Sequence, residues 1–381
     1  MLYPEKIQKA GSHMERISNY QLFTITVFFQ VGTTIVFGFA SGAGRDAWLA
    51  VLISSFLGMI IMLMYLLLMR MQPGLTLIEW YPAQLGRWLG GFISWLYVLE
   101  FIYDAGRGIA DVKYLIPTTI LPETPTWVIG GVFIIVVAYG VSSGIEIIGR
   151  MGEMGFPIII ALSLLEMILL FSSGVVHTER LQPVLYEGWG EIWKSVWPTG
   201  ATQSFGESIE LAMIWTLTRQ PERVMKTTIL AIICSAIFIG TMDALAVAVL
   251  GEGVFQRSMY PMYLLIRQIN VADFVTNMDA IGILFFCGLL FMKLSIHMFV
   301  AIRSIQLLTS IQNSRILVLP VSIIVFLIGI KMDSNSVKHI YDGVHIVPTL
   351  LWVPLFIILP STLLFVTWIR KMWTMRRQAS S

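Results

Sequence analysis

The chain has 381 residues, 56% of them hydrophobic and 13% charged, with a formal net charge of +2. With a mean hydropathy of +0.79, this composition excludes an ordinary soluble domain and leaves a polytopic membrane protein. The near-neutral balance gives no basis for nucleic-acid binding, and Cys234 and Cys287 both fall in apolar stretches, where neither a disulfide framework nor a zinc site is expected.

Gly11-Ser12-His13-Met14 has the form of a scar left by a cleaved affinity tag. Residues 1–13 are therefore read as a tag scar or an N-terminal extension without fixed structure, with Met14 as the natural start. A spanning helix needs about 20 apolar residues. Ten such segments are expected near 20–42, 48–70, 88–115, 126–141, 154–174, 196–218, 226–250, 273–306, 314–332 and 349–370. Turn-forming stretches separate them, among them Gly42–Asp46, Gln72-Pro73-Gly74, Leu121–Pro125 and Arg219–Glu222. Residues 14–371 form one transmembrane domain on this reading, and residues 372–381 a basic tail. If both termini face the cytoplasm, fifteen basic residues lie inside and nine outside. Excess Lys and Arg marks the cytoplasmic face, so both termini are placed there. Trp189, Trp193 and Trp197 recur every four residues and predict a short helix on the outer membrane surface, with its indoles at headgroup level.

The first span carries an anomaly halfway along. Gln30-Val31-Gly32-Thr33-Thr34-Ile35-Val36-Phe37-Gly38 combines two glycines with two adjacent threonines, residues that weaken a helix or divert its backbone hydrogen bonds. The sixth span repeats the pattern in Gly200–Ser208, which includes Phe205, Gly206 and Glu207. If the chain is two five-helix halves, about 20–174 and 196–370, these stretches occupy corresponding positions in repeats of opposite sense. Paired interruptions of this kind point to a transporter-type binding site, although small residues at either stretch also suit close helix packing. A mid-membrane carboxylate such as Glu207 is costly unless it lines a cavity or serves a relay. A protonated Glu207 holding freed backbone amides would be compatible with either reading.

The third span bears a polar stripe of Tyr97, Glu100, Asp104, Arg107 and Asp111, close together on one helical face. It reads either as a wall of a substrate pathway, with Asp104 and Arg107 in a relay or an ion pair, or as an ion-pair lattice between helices. Glu100, the deepest member, is expected to meet a ligand ammonium. Lys293 stands in the eighth span with His297 one turn on. An intramembrane lysine needs a carboxylate, carbonyls or water. It could brace the first-span break in place of a sodium ion, or form a salt bridge with Asp243 or Glu166. His297 is read either as a bonded core histidine or as part of a proton relay. No HExxH, GxSxG, P-loop, CxxC pair or potassium-filter segment occurs, so neither enzyme chemistry nor a cofactor or metal is expected.

Several of these pieces resemble one family. Gln30-Val31-Gly32-Thr33 with Phe37-Gly38, Leu121-Pro122-Glu123-Thr124-Pro125, Gly144-Ile145-Glu146 with Arg150 and Glu153, and Phe205-Gly206-Glu207 are similar to motifs of the B subunits of bacterial spore germinant receptors. The resemblance runs from Met14 to the end of the chain. It implies an all-α, ten-helix, LeuT-like 5+5 inverted repeat of the amino acid/polyamine/organocation superfamily, with helices 1 and 6 broken at mid-membrane. It also implies residence in the inner membrane of the spore, a small amino acid-like germinant, and A and C partner subunits. Binding roles carry over to Gly32, Thr33, Thr34, Gly206 and Glu207; Gly38, Tyr97, Glu100 and Phe205 join them as expected pocket residues. The functional expectation is a nutrient-sensing subunit, against a proton-coupled amino acid carrier and, last, a structural or channel-like component that binds no amino acid.

Overall fold

The computed structural model describes residues 16–270 and 278–379; the side chain of Asp279 and those of residues 376–379 are not described. The expected tag scar at 1–13, the start of the eighth span and the last two residues lie outside the described residues. The helices are α1 (Asn19–Phe37), α2 (Ala47–Met71), α3 (Leu77–Leu85), α4 (Arg87–Thr119), α5 (Thr126–Ser142), α6 (Ile145–Ser172), α7 (Trp189–Ser195), α8 (Val224–Leu250), α9 (Glu252–Arg257), α10 (Pro261–Ile266), α11 (Asp279–Thr309), α12 (Arg315–Lys331), α13 (Ser336–Tyr341) and α14 (Leu359–Ala379). Wider or tighter windings fill several connections. Residues Phe39–Asp46 and Glu207–Met213 are 3-10 helical, and Val196–Gly206 and Pro348–Ile358 are wound as π-helix. The last helix continues through residues 372–379 instead of releasing them as a separate tail.

Among the described residues, six helices are long and apolar enough to cross a membrane, or seven if the bent pair formed by α12 with residues 336–346 is one span. The expected ten segments do not all meet this test, for sequence-level reasons. α4 carries Glu100, Asp104, Arg107, Asp111 and Lys113, α5 is only 17 residues long, and the sixth segment is not one regular helix.

The core is built around α1, whose apolar window is 83% buried, whereas that of α6 is 11% buried and turns its side chains outward. Helix α1 starts at a capping box: Ser18 Oγ accepts from the Gln21 amide at 3.1 Å and Gln21 Oε1 accepts from the Ser18 amide at 2.9 Å. The acidic residues before and within α6 secure the same end. Glu146 accepts from the Arg16 amide at 3.0 Å and Glu153 from Gln21 at 3.1 Å. Ile17 also exchanges backbone hydrogen bonds with Leu217 and Arg219, tying the chain's entry to the end of the sixth segment.

Opposite the entry, Arg45 knots three loops together. Its guanidinium donates to Glu252 at 2.5 and 2.9 Å and to the Gln182 carbonyl at 2.9 Å, while Asp46 accepts from the Leu185 amide at 3.1 Å. The hydrogen bonds from Arg45 hold the Glu252 carboxyl below its ordinary value of 4.5. A depressed carboxylate contributes stability above 4.5 that is lost as pH falls through its folded value. Both side chains are about a fifth exposed, so the contribution is small, about 1 kcal/mol or less. The unfolding midpoint of the wild-type protein is expected to drop on acidification below pH 4.5 by more than that of Glu252→Gln; parallel curves would show that the knot adds no pH-dependent stability.

α7 carries two of the three tryptophans of the expected surface helix, Trp189 and Trp193, both exposed; Trp197 follows its end with an extended backbone (φ −124°, ψ 130°) and is not part of it.

Candidate functional site: a buried cavity where α1, α4, α11 and the sixth segment meet

The interruption of the first segment falls at Gly38, the last residue of the stretch singled out above. Gly38 has φ +57°, which glycine adopts without strain, and its amide donates to the Thr34 carbonyl at 3.0 Å. Gly32-Thr33-Thr34 itself stays helical. The physical reason for Gly32 is a close approach, since a Cβ there would stand 2.7 Å from Lys293 Cδ and 3.0 Å from Lys293 Cβ. The sixth segment changes winding at the expected place. The π-helix ends at Gly206 and a 3-10 helix starts at Glu207. Tyr65 donates to the Gly206 and Phe356 carbonyls there, at 3.2 and 2.5 Å.

These two stretches run antiparallel and are joined by side chains. Gln30 donates to Ser208 at 3.2 Å, and the hydroxyls of Thr34 and Ser204 are 2.7 Å apart. Between these contacts, Lys293 Nζ reaches Glu207 Oε2 at 2.7 Å and donates to Thr33 Oγ1 at 3.1 Å. The partner of Lys293 is thus Glu207, not Asp243 or Glu166. One turn along α11, His297 faces two carboxylates: Nε2 lies 3.3 Å from Glu207 Oε1 and Nδ1 lies 2.9 Å from Glu210 Oε1. A neutral imidazole has one donor and one acceptor nitrogen. Between two carboxylates, either the ring carries both protons or one carboxyl group carries one. Phe29 backs both side chains, its ring 5.3 Å from Lys293 Nζ and 5.0 Å from the His297 ring.

Beside this group lies an open-mouthed cavity of about 40 Å³. Of the expected residues, Thr33, Asp104, Arg107, Glu207, Lys293 and His297 line it. The others serve the surrounding frame. Gly32 seats the Lys293 stem, Thr34 bonds Ser204, and Gly38 turns the chain against Pro261. Gly206 offers its carbonyl to Tyr65, and Phe205 is fully buried against Gly58. Tyr97 donates to the Leu355 carbonyl at 2.5 Å and meets the Tyr81 hydroxyl at 2.7 Å. Glu100 is 2% exposed, lies beside Asp104 and Glu210, and does not line the cavity.

Asp104 and Arg107 do not form the ion pair that their spacing allows. Asp104 Oδ2 accepts from Trp352 Nε1 at 3.2 Å, and the Arg107 guanidinium lies over the same indole at 5.7 Å. Sequence reasoning missed Gln203, Trp352 and His339. His339, at the mouth, is held between Asp111 and Asp333 at 2.8 Å each. Trp352 and His339 follow the bend after α12, and no periodic pattern in the sequence aims that corner at the third span.

The arrangement is that of a carrier-type membrane protein: an all-helical bundle with two irregular segments meeting beside a buried, charged cavity. Its fold is LeuT-like; over 93% of this chain and 89% of the other, it superposes on the crystal structure of MhsT in complex with L-phenylalanine with a TM-score of 0.70 at 14% identity. The spore germination protein family model matches residues 16–337, and the chain belongs to that family of integral multi-pass membrane proteins. It is 27% identical to spore germination protein KB of Bacillus subtilis (strain 168) over 96% of this chain and 97% of that protein. It is also 22% identical to spore germination protein XB of Bacillus anthracis over 86% and 90% of the two chains.

Proposed function

We propose that this protein is the membrane-embedded, ligand-sensing subunit of a nutrient germinant receptor. A small amino acid-like germinant enters the cavity beside Lys293 and Glu207, and its occupancy shifts the balance between two arrangements of the helices. The observation that carries this reading is the Thr33–Lys293–Glu207 bridge on the cavity wall, because a ligand there touches a junction that couples the first segment, the sixth segment and α11. A ligand shifts such an equilibrium only by its differential affinity for the two states, and contacts at that junction supply the difference. The bound L-phenylalanine of the MhsT structure supports an amino acid as the ligand class. The germination relatives support a role in spores. The excess of Lys and Arg on one side supports cytoplasmic termini; residence in the inner membrane, and A and C subunits as the readers of the shift, are parts of this proposal.

The test is germination of spores over a range of nutrient concentrations. Thr33→Val removes the hydroxyl that accepts from Lys293, and Glu207→Gln removes the countercharge. Both are expected to displace the dose-response curve at normal protein levels. Two unchanged curves would remove the site.

A second reading, proton-coupled amino acid carriage, is favoured by His297 between Glu207 and Glu210, which gives a buried group of exchangeable protons on the cavity wall. Uptake by reconstituted vesicles that responds to a pH gradient supports carriage; binding without flux supports sensing.

A further inference from the structure

Most polar groups around the cavity already have partners. Lys293, Glu207, Thr33 and His297 bond one another, and Asp111 bonds His339. Among the described residues that line it, three buried atoms have no hydrogen-bond partner: Asp104 Oδ1, Arg107 Nη1 and Gln203 Oε1. Leaving a buried donor or acceptor unmade costs about 1–3 kcal/mol, more for a charged group, so these three define what the cavity can take. They are one guanidinium donor, one carboxyl oxygen of a group that also lies beside Glu100, and one amide oxygen. Asp104 and Arg107 are one turn apart on α4, and both rest on the Trp352 indole. Gln203 faces them from the sixth segment.

We propose that Arg107 receives the carboxylate of a free α-amino acid, and that Asp104 and Gln203 receive its ammonium. The ligand lies along α4 over Trp352, carboxylate toward the C-terminal end of that helix. The inference rests on the cavity being the germinant site. The backbone at the first-segment break does not compete for the carboxylate, because α1 is wound through Phe37 and the Gly38 amide is bonded to Thr34. The bound charges also select the class. A planar guanidinium prefers a carboxylate, which it can hold by two parallel bonds. A sugar or another neutral polyol brings no charged group to Arg107 Nη1 or Asp104 Oδ1, a penalty that disfavours it. Tyr103 and Asp111 also lie near Arg107, but neither occupies Nη1.

The experiment is a thermal-shift titration of the purified full-length protein with the twenty common L-amino acids. The best binder is then compared with its carboxamide and its deaminated acid. A ligand that binds only the folded state raises the melting temperature. Both analogues are expected to bind about tenfold to a hundredfold more weakly than the parent. In Arg107→Gln the preference for carboxylate over carboxamide should vanish while the preference for the ammonium persists, and Asp104→Asn should show the reverse. If the parent binds but the analogues bind equally well, the assignment of the two charges is overturned while the cavity remains the germinant site. Unchanged selectivity ratios in both variants have the same meaning. If no amino acid shifts the wild-type protein, the amino acid reading falls with it. Should either variant fail to fold, the analogue comparison on the wild-type protein decides alone.

Discussion

Replacing Lys293 by methionine is expected to lower the stability of the purified protein by about 3–5 kcal/mol, the cost of leaving a buried carboxylate without its partner. Lys293 is 4% exposed and Glu207 3%, and they sit 2.7 Å apart, so each is the other's main countercharge. Removing the charge from both should recover most of the loss. Lys293→Met with Glu207→Gln is therefore expected to be more stable than Lys293→Met alone, because a neutral pair in such a place costs less than one orphaned ion. His297 remains 3.3 Å from Glu207 in the single variant and will offset part of the loss. The measurement is equilibrium unfolding in detergent for the four members of the cycle. Additive losses, with no coupling between the two positions, would show that the pair does not hold the segments together.

The second large effect is expected at Gly32. In an ordinary helix, alanine is more favourable than glycine by about 1 kcal/mol. Here an added methyl group would press on the Lys293 stem at Cδ and Cβ; rotation of the side chain can move Cδ but not Cβ. The lysine must shift, and its ammonium then leaves Glu207 and Thr33. Overpacking of this kind costs about 1–3 kcal/mol, so Gly32→Ala is expected to be a net loss. The same substitution in a Lys293→Ala background should cost much less, because most of the opposing stem is gone. If glycine were needed to break the helix, the cost would be the same in both backgrounds. Equal costs would thus contradict the packing account.

These two residues also show what could be read before the structure was known. The helices were legible because runs of about 20 apolar residues have no other use, and the boundaries of α2, α5, α8 and α12 fall within two residues of those expected. Glu207 and Lys293 were legible as costly ions. Their partnership was not, because 86 residues separate them and a helix face does not name its neighbour. Gly32 was read as a break because its local preference is against helix. The reason it is glycine lies on another helix, in a side chain about 260 residues on. The cavity wall from Trp352 and His339 was illegible for a related cause. It depends on the 110° bend after α12, which no local signal sets.

That bend has a mechanical consequence. The Lys113 ammonium, near the end of α4, donates to the carbonyls of Gly329, Ile330 and Met332 at 3.0, 3.0 and 2.7 Å. The last turn of α12 leaves these acceptors unclaimed by the helix itself, so the lysine closes it as a bracket closes a corner. The bracket is two turns from Arg107 on the same helix. A ligand that tilts α4 by pulling on Arg107 therefore carries the elbow of α12 and α13 with it. His339 rides on that elbow, clasped to Asp111 of α4. The elbow and the helix that lines the cavity are thus tied at two points, Lys113 and Asp111.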